Sequence, residues 1–290
     1  MPQQSHRHHY IPEFLIKNFT NENGQVHVYD KLTERIAKTQ QSPKSVFFEY
    51  DRNTTRSHGK ELDHLEQLYG MLDNLFAADL TSVLTTRSFT PENIVSIILL
   101  AANLKWRVPA RDEEFNALKE TKIPELQMRI TVLDENRQHL QGAVEYLRTT
   151  EIFKQIQRVT LGMLPLMQDD ETKLAMHNNS FIYAQSSQLP PALISDCPII
   201  EKPNADYTKL ENFIFPLSSN ETFIYKSNSG KDIKSIDFFR QKDLAVFHAA
   251  TRYVACQSRD HLENIAAQYQ ALKQTNQHGR SQELIFDLIA

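Results

Sequence analysis

HHYIPEFLIKNF, at residues 8–19, is the most unusual local pattern in the chain. The histidine pair ends three residues before Pro12, which opens an apolar run at helical spacing. Proline is tolerated in the first turn of a helix, so this run predicts a short helix that begins at Pro12. The turn signal at residues 21–24 is expected to end the helix. We expect the rest of the chain to form a scaffold around this segment.

Short segments with the features of strands lie near the N-terminus and again late in the chain. Residues 25–30 alternate in polarity, residues 35–39 are suited to pair with them as a hairpin, and residues 45–50 form an aromatic strand candidate. Further candidates occur at residues 180–184, 192–195, 212–217, 221–225 and 253–256. These segments predict a small, mostly antiparallel sheet built from N-terminal and late segments.

Most of the remaining chain has helical periodicity. Helices are predicted over residues 61–87, 90–106, 237–250 and 259–273, with two more amphipathic helices between residues 124 and 167. Thr90 is a helix N-cap followed by proline, and the apolar residues after it occupy nearly all sides, which predicts a central helix. The fold class is therefore α+β, a mainly helical single domain at residues 8–274, with a flexible tail at residues 1–7 and a C-terminal extension at residues 275–290.

Composition narrows the class of protein. The formal charge of −4 does not indicate nucleic acid or an anionic membrane as a partner, although a local basic patch is compatible with it. Seven glycines argue against glycine-rich phosphate loops and propellers. The N-terminus lacks the apolar core of a signal peptide, and two cysteines cannot form a disulfide framework, so we expect a cytoplasmic protein. No apolar run reaches the roughly 20 residues of a membrane span.

His9 and Glu66 are candidates for proton transfer. A histidine before a helix can act as a general base or a metal ligand, and the alternative is a packing or capping histidine. Glu66 lies on the apolar stripe of its predicted helix, between Leu62 and Tyr69. It either points into a site or forms a buried ion pair with Arg107 or Arg111.

Arg107, Arg111, Ser195 and Asp196 complete the candidate set. A four-residue spacing places Arg107 and Arg111 on one helical face, where they can hold a phosphate or carboxylate, unless they form salt bridges within the fold. Asp196 follows a short strand, a common position for a functional carboxylate, and Ser195 beside it is a candidate for substrate binding. The alternative is a local turn in which both side chains bind backbone.

The chain contains no Cys-x-x-Cys zinc pattern, Gly-x-Ser-x-Gly elbow, Walker loop or His-Glu-x-x-His motif. The chain does resemble domain of unknown function 4238, a widespread microbial family, over about residues 8–258. Members begin with His-Tyr-x-Pro-x-x-x-Leu-x-x-Phe, which residues 9–19 match except that Ile16 stands at the leucine position, after Leu15, and carry a late Ser-Asp-x-Pro step, which residues 195–198 match. Cys197 departs from the asparagine that is often found at its position. The family name implies no activity.

Two functional hypotheses follow. The first is a hydrolase acting on a phosphate-containing substrate, either nucleic acid or a nucleotide. His9, Glu66 and Asp196 would be its catalytic residues, and Arg107, Arg111 and Ser195 would bind substrate. Histidine and carboxylates are also ligand types for a divalent metal. The second hypothesis is a non-enzymatic binding or regulatory module, in which the same residues form a structural polar core.

Overall fold

The structure is a computed structural model that describes residues 6–57, 60–87, 89–121, 133, 136–140, 142, 150–167, 170–203, 212–226 and 237–289. It confirms an α+β fold. The α-helices of the described ranges are α1 (Glu13–Lys17), α2 (His64–Thr86), α3 (Pro91–Arg107), α4 (Asp112–Thr121), α5 (Glu151–Gly162), α6 (Asp170–Asn178), α7 (Phe238–Ala249), α8 (Arg259–Gln274) and α9 (Arg280–Asp287). The first of the two helices predicted between residues 124 and 167 lies largely outside the described residues.

The strands are short and pair only in antiparallel fashion within the described ranges. They are β1 (Arg7–His9), β2 (His27–Asp30), β3 (Arg35–Ile36), β4 (Phe48–Tyr50), β5 (Thr55–Ser57), β6 (Lys60–Leu62), β7 (Ser180–Ala184), β8 (Ile194–Ser195), β9 (Ile200–Glu201), β10 (Phe213–Pro216), β11 (Glu221–Tyr225) and β12 (Tyr253–Cys256). They form two four-stranded sheets and two ribbons, where the sequence predicted one small sheet.

The division into sheets follows from the strand pairing. The first sheet has the order β3-β2-β12-β8, so it combines N-terminal and late strands as predicted. The second has the order β7-β11-β10-β9 and contains only late strands. The ribbons are β1–β4 and β5–β6. The sequence located the individual strands. It did not show that the β10–β11 hairpin would pair with β7 and β9 in a separate sheet.

Helix α3 is the central element, as its all-round apolar pattern predicted. Its residues from Ser96 to Arg107 are all buried. The Thr90 hydroxyl accepts a hydrogen bond from the Asn93 amide at 3.3 Å, which confirms the predicted N-cap. Polar side chains on this helix are paired with neighbouring elements: Ser96 donates to Asp79 of α2 at 2.6 Å, and Asn103 donates to the Gly162 carbonyl of α5 at 3.2 Å.

The segment that opens the sequence lies in the interior of the fold. Ile11, Leu15, Ile16 and Phe19 have no exposed surface. The Tyr10 amide donates to the Phe47 carbonyl at 3.0 Å, and the Ser219 amide donates to the Asn18 carbonyl at 2.9 Å. The N-terminal segment therefore joins the β1–β4 ribbon to the late sheet.

The C-terminal residues contribute to a second apolar core. Helix α9 packs on α7, with Ile285 and Ile289 buried in a cluster that also holds Phe247 and Leu262. The segment predicted as an extension thus includes a helix that covers this cluster. No helix in the described ranges combines the length and apolar character needed to cross a bilayer.

The contact between α5 and α3 leaves no room for a side chain at Gly162. A Cβ atom there would lie 2.7 Å from Asn103 Cγ and 2.8 Å from Asn103 Cα. We expect Gly162→Ala to destabilise the fold by about 1–3 kcal/mol, the usual cost of overpacking. Urea or thermal unfolding measures this effect.

The matched control is Gly70→Ala on α2, where an added Cβ meets nothing within 4 Å. Alanine is the better helix former by up to about 1 kcal/mol, so this variant should keep or raise the melting temperature. Equal melting temperatures for the two variants would contradict the close α3–α5 packing.

Candidate functional site

An open pocket of about 550 Å³ lies between the N-terminal segment, α2 and the end of α3. Its volume is within the usual range of small-molecule sites, about 300–1,000 Å³. Three of the residues proposed from the sequence line it: His9, Glu66 and Arg107. The structure therefore brings half of the predicted set to one place.

His9 is the last residue of β1, and its side chain is 13% exposed. Its Nδ1 lies 3.8 Å from Glu13 Oε1, and its ring lies 5.7 Å from that of Phe48. The Nε2 atom is buried and makes no hydrogen bond of standard geometry with the described residues. The imidazole is thus held mainly by packing.

Burial lowers the pKa of His9, and this is the largest influence on the group. The Glu13 carboxylate raises the pKa, the Arg107 cation lowers it, and the Pro43 backbone and Glu66 raise it by smaller amounts. Since the ordinary histidine pKa is about 6.5, the imidazole is mainly neutral at pH 7. A neutral imidazole can accept a proton from a bound molecule.

Arg107 ends α3 and is almost fully buried. Its Nη1 donates to both carboxylate oxygens of Asp73, at 2.7 and 3.0 Å. Its guanidinium lies 4.4 Å from the centre of the Tyr69 ring, a cation–π contact. Its Nε is buried without a hydrogen-bond partner among the described residues. The ion pair foreseen for Arg107 is present, but its partner is Asp73 instead of Glu66.

Glu66 lies beside the polar loop after β4. Its Oε2 accepts a hydrogen bond from the side-chain Nδ2 of Asn53 at 2.7 Å. The backbone amide of Asn53 donates to His8 Nδ1 at 2.9 Å. In the same loop, Arg52 donates to the Arg107 carbonyl at 3.0 and 3.2 Å. This loop therefore connects β1, α2 and the end of α3 behind the pocket.

Arg111 lies apart from Arg107. Helix α3 ends at Arg107, and Val108 is extended, with ψ of 143°. The cause is Pro109, which has no amide hydrogen and disfavours helical geometry in the residue before it. Arg111 pairs with Glu114 at 2.7 Å and with Glu201 at 2.9 Å. The shared helical face expected from their spacing is therefore not formed.

Asp196 and Ser195 make structural contacts away from the pocket. The Asp196 carboxylate accepts hydrogen bonds from the amides of residues 251, 252 and 253 and from the Thr251 hydroxyl, at 2.7–3.0 Å. Burial raises the pKa of Asp196, and these donors oppose that effect. The Ser195 hydroxyl donates to the Cys197 carbonyl at 2.9 Å. The local turn foreseen as the alternative holds for Ser195 alone, since Asp196 binds the segment that leads into β12 and not the backbone beside it.

Two acidic residues of the pocket were not singled out from the sequence. Glu13 follows His9 by four residues, and Asp73 follows Glu66 by seven, which keeps Asp73 on the same face of α2. Both spacings can be counted in the sequence. Neither shows which side chain the acidic residue will meet, because that depends on how α2 packs against the N-terminal segment. Among the described residues, no group of three or more His, Cys, Asp or Glu side chains is placed to hold a metal ion.

The lowered pKa of His9 predicts a specific pH dependence. Because the pKa of His9 is lower in the folded chain, the unfolded chain binds a proton at His9 more readily. The free energy of unfolding therefore falls as the pH drops through about 6.5. We expect His9→Gln to reduce the loss of stability between pH 7.5 and 5.5, by at most about 1.4 kcal/mol per pH unit. Chemical denaturation across that pH range measures it. The wild-type slope for His9→Gln would refute the prediction.

The contacts of Asp196 predict a large structural effect. Asp196→Ala leaves three backbone amides of a part-buried turn without their acceptor, and a donor left unsatisfied out of reach of water costs about 1–3 kcal/mol. We expect a clear fall in melting temperature, whereas Glu22→Ala, at an exposed loop position, should change little. Equal melting temperatures for the wild type and Asp196→Ala would show that Asp196 does not hold this turn.

The match to a family model is extensive. This family model, described as "Protein of unknown function (DUF4238)", matches residues 7–260 of the 290-residue chain. Comparison with curated proteins and with solved structures gives no match. The matched region contains the pocket, α3, both four-stranded sheets and the turn at Asp196. The chain belongs to the DUF4238 family of proteins of unknown function.

Proposed function

We propose that the pocket of His9, Glu66 and Arg107 hydrolyses a phosphate-containing substrate, a nucleic acid or a nucleotide. The observation that carries the proposal is an imidazole, kept mainly neutral by burial, in the wall of an open pocket that also contains a buried arginine. These are the group types needed to activate water and to bind a phosphoryl oxygen.

His9 is the general base in this proposal. Its Nε2 is buried, so Nδ1, 3.8 Å from Glu13, is the nitrogen that accepts the proton of a bound water. The resulting hydroxide forms a bond to phosphorus, and the ester P–O bond breaks. The leaving oxygen takes a proton from solvent water, which the open pocket admits. The neighbouring Glu13 carboxylate stabilises the imidazolium until it returns its proton to solvent water, which regenerates the neutral base.

Arg107 supplies the positive charge, and the surrounding carboxylates limit which phosphates are favoured. Asp73 already binds Nη1, so a phosphoryl oxygen would use the remaining donors of the guanidinium. Glu13 and Glu66 line the same pocket and repel anions. A diester carries one negative charge for each phosphate and is repelled less than a nucleotide polyphosphate. Within the proposed class, the charges therefore favour a phosphodiester.

Asp196, Ser195 and Arg111 have no step in this proposal, because their side chains are engaged outside the pocket. They support the fold that holds the pocket. A divalent metal and a cytoplasmic location remain predictions.

The test is hydrolysis of a chromogenic phosphodiester by the full chain, assayed with and without added Mg²⁺ or Mn²⁺. We expect His9→Gln to lower kcat about 10²-fold or more, the usual share of a general base. Gly70→Leu should raise KM, because residue 70 lines the pocket and a side chain there meets open space. Ala78→Leu, an exposed position on the same helix outside the pocket lining, is the control. No turnover above buffer, or full activity of His9→Gln, would reject the proposal.

The second candidate is a binding or regulatory module whose polar residues are structural. It is favoured by the pairing of Arg107 with Asp73 and of Glu66 with Asn53. Under this hypothesis His9→Ala lowers the melting temperature markedly and no phosphoester is turned over. Under the enzyme hypothesis the same variant keeps or gains stability, since residues in active sites are often not optimal for stability.

A further inference from the structure

The β1–β4 ribbon presents two different faces. Arg7 pairs with Tyr50, His8 with Glu49 and His9 with Phe48 in antiparallel register. Side chains alternate between the faces of a strand, so Arg7, His9, Phe48 and Tyr50 share one face. His8 and Glu49 lie on the other.

The face with His8 and Glu49 is anchored to the body of the protein. His8 is fully buried and accepts a hydrogen bond from the Asn53 amide, and Glu49 pairs with Arg52 at 2.7 Å. The strand β4 is flanked by Phe47 and Asp51, whose φ angles of 54° and 55° lie in the left-handed region. A bulky residue such as phenylalanine takes this conformation only where its surroundings enforce it. The ribbon is therefore held firmly.

The opposite face is an aromatic ladder that ends at His9. The rings of His9 and Phe48 lie 5.7 Å apart, and those of Phe48 and Tyr50 lie 5.4 Å apart. The Arg7 guanidinium lies 5.1 Å from the Phe48 ring and 5.9 Å from the Tyr50 ring. Tyr50 is 64% exposed, so the outer end of the ladder faces solvent while the inner end reaches the pocket.

We propose that Arg7, Phe48 and Tyr50 form a stacking platform for the bases of a single-stranded nucleic acid and bring one phosphodiester of that strand to His9. The inference rests on the proposed function, because it names the substrate that the pocket receives. Bases of single strands stack on aromatic side chains and on arginine planes, whereas bases within a duplex are already stacked on one another. Stacking also explains how a chain with a net charge of −4 can bind a polyanion without an extended basic surface.

The test is fluorescence anisotropy of labelled single strands of about 12 nucleotides, within the range that single-strand sites cover. DNA and RNA strands of matched sequence are titrated with the full chain. We expect Tyr50→Ala to weaken binding about 10-fold or more and Tyr50→Phe to preserve it, because stacking needs the ring and not the hydroxyl. Phe89→Ala, at an exposed aromatic residue near the start of α3, should leave the dissociation constant unchanged.

Two further measurements separate stacking from charge. A duplex of the same sequence should bind at least about 10-fold more weakly than the single strand. Arg7→Ala should reduce the slope of log affinity against log salt by about one, because a cation that lies against the strand displaces about one counterion from it. An unchanged slope would overturn the part of the proposal that has Arg7 contact the strand.

The outcomes distinguish this inference from the proposed function. Wild-type affinity in Tyr50→Ala, equal binding of duplex and single strand, or no binding up to about 100 µM would overturn the platform. That result leaves the hydrolytic proposal standing if the chain still cleaves a small diester. Binding that is lost in Tyr50→Ala, without cleavage of any diester, would retain the platform and overturn the hydrolysis.

Discussion

The burial of α3 from Ser96 to Arg107 is the constraint on which the rest of the structure depends. A charged side chain inside a protein must be paired, because an isolated charge loses its hydration without compensation. Lys105 therefore pairs with Glu201 of the late sheet, and Arg107 pairs with Asp73 of α2. The polar end of the central helix thus determines which face of α2 and which edge of the late sheet lie against it.

Two cations of the first 52 residues stabilise the ends of two helices. Arg52 donates to the carbonyl of Arg107 at the end of α3, and Lys31 donates to the carbonyls of Phe247 and His248 at the end of α7. A cation is favourable at a helix C-terminus, where backbone carbonyls lack partners. Burial lowers the pKa of Lys31 to about 8. Through these two cations the N-terminal part of the chain is joined to the ends of α3 and α7.

The pocket forms where this buried polar network reaches the surface. Around it, Asn53, Arg52 and Asp73 are closely paired, whereas among the described residues His9 has a 3.8 Å approach to Glu13 and a buried Nε2 with no hydrogen bond of standard geometry. A residue that is well placed but incompletely paired is the one available for a ligand. The aromatic face of the β1–β4 ribbon leads to the same histidine. One side of the ribbon is thus anchored to the body of the protein, and the other side is open to solvent.

The sequence by itself determined the elements and several of their roles. The apolar pattern around α3 predicted a central helix, Thr90 predicted its N-cap, and the alternation at residues 25–30 predicted a strand. It also selected His9, Glu66 and Arg107, which the fold brings to one pocket. These inferences hold because side-chain direction within an element depends on local spacing alone.

Only the tertiary structure decided the partners. Tyr253 pairs with Asp30 in the sheet. Arg107 forms its ion pair with Asp73, whereas the sequence had indicated Glu66 as a possible partner. The separation of Arg111 from Arg107 depends on how Val108 and Pro109 end the helix, and the role of Asp196 depends on amides more than fifty residues later. The physical reason is that a buried charge or an open strand edge can be satisfied by many groups of the same kind. Which one it meets is decided by the packing of the whole chain.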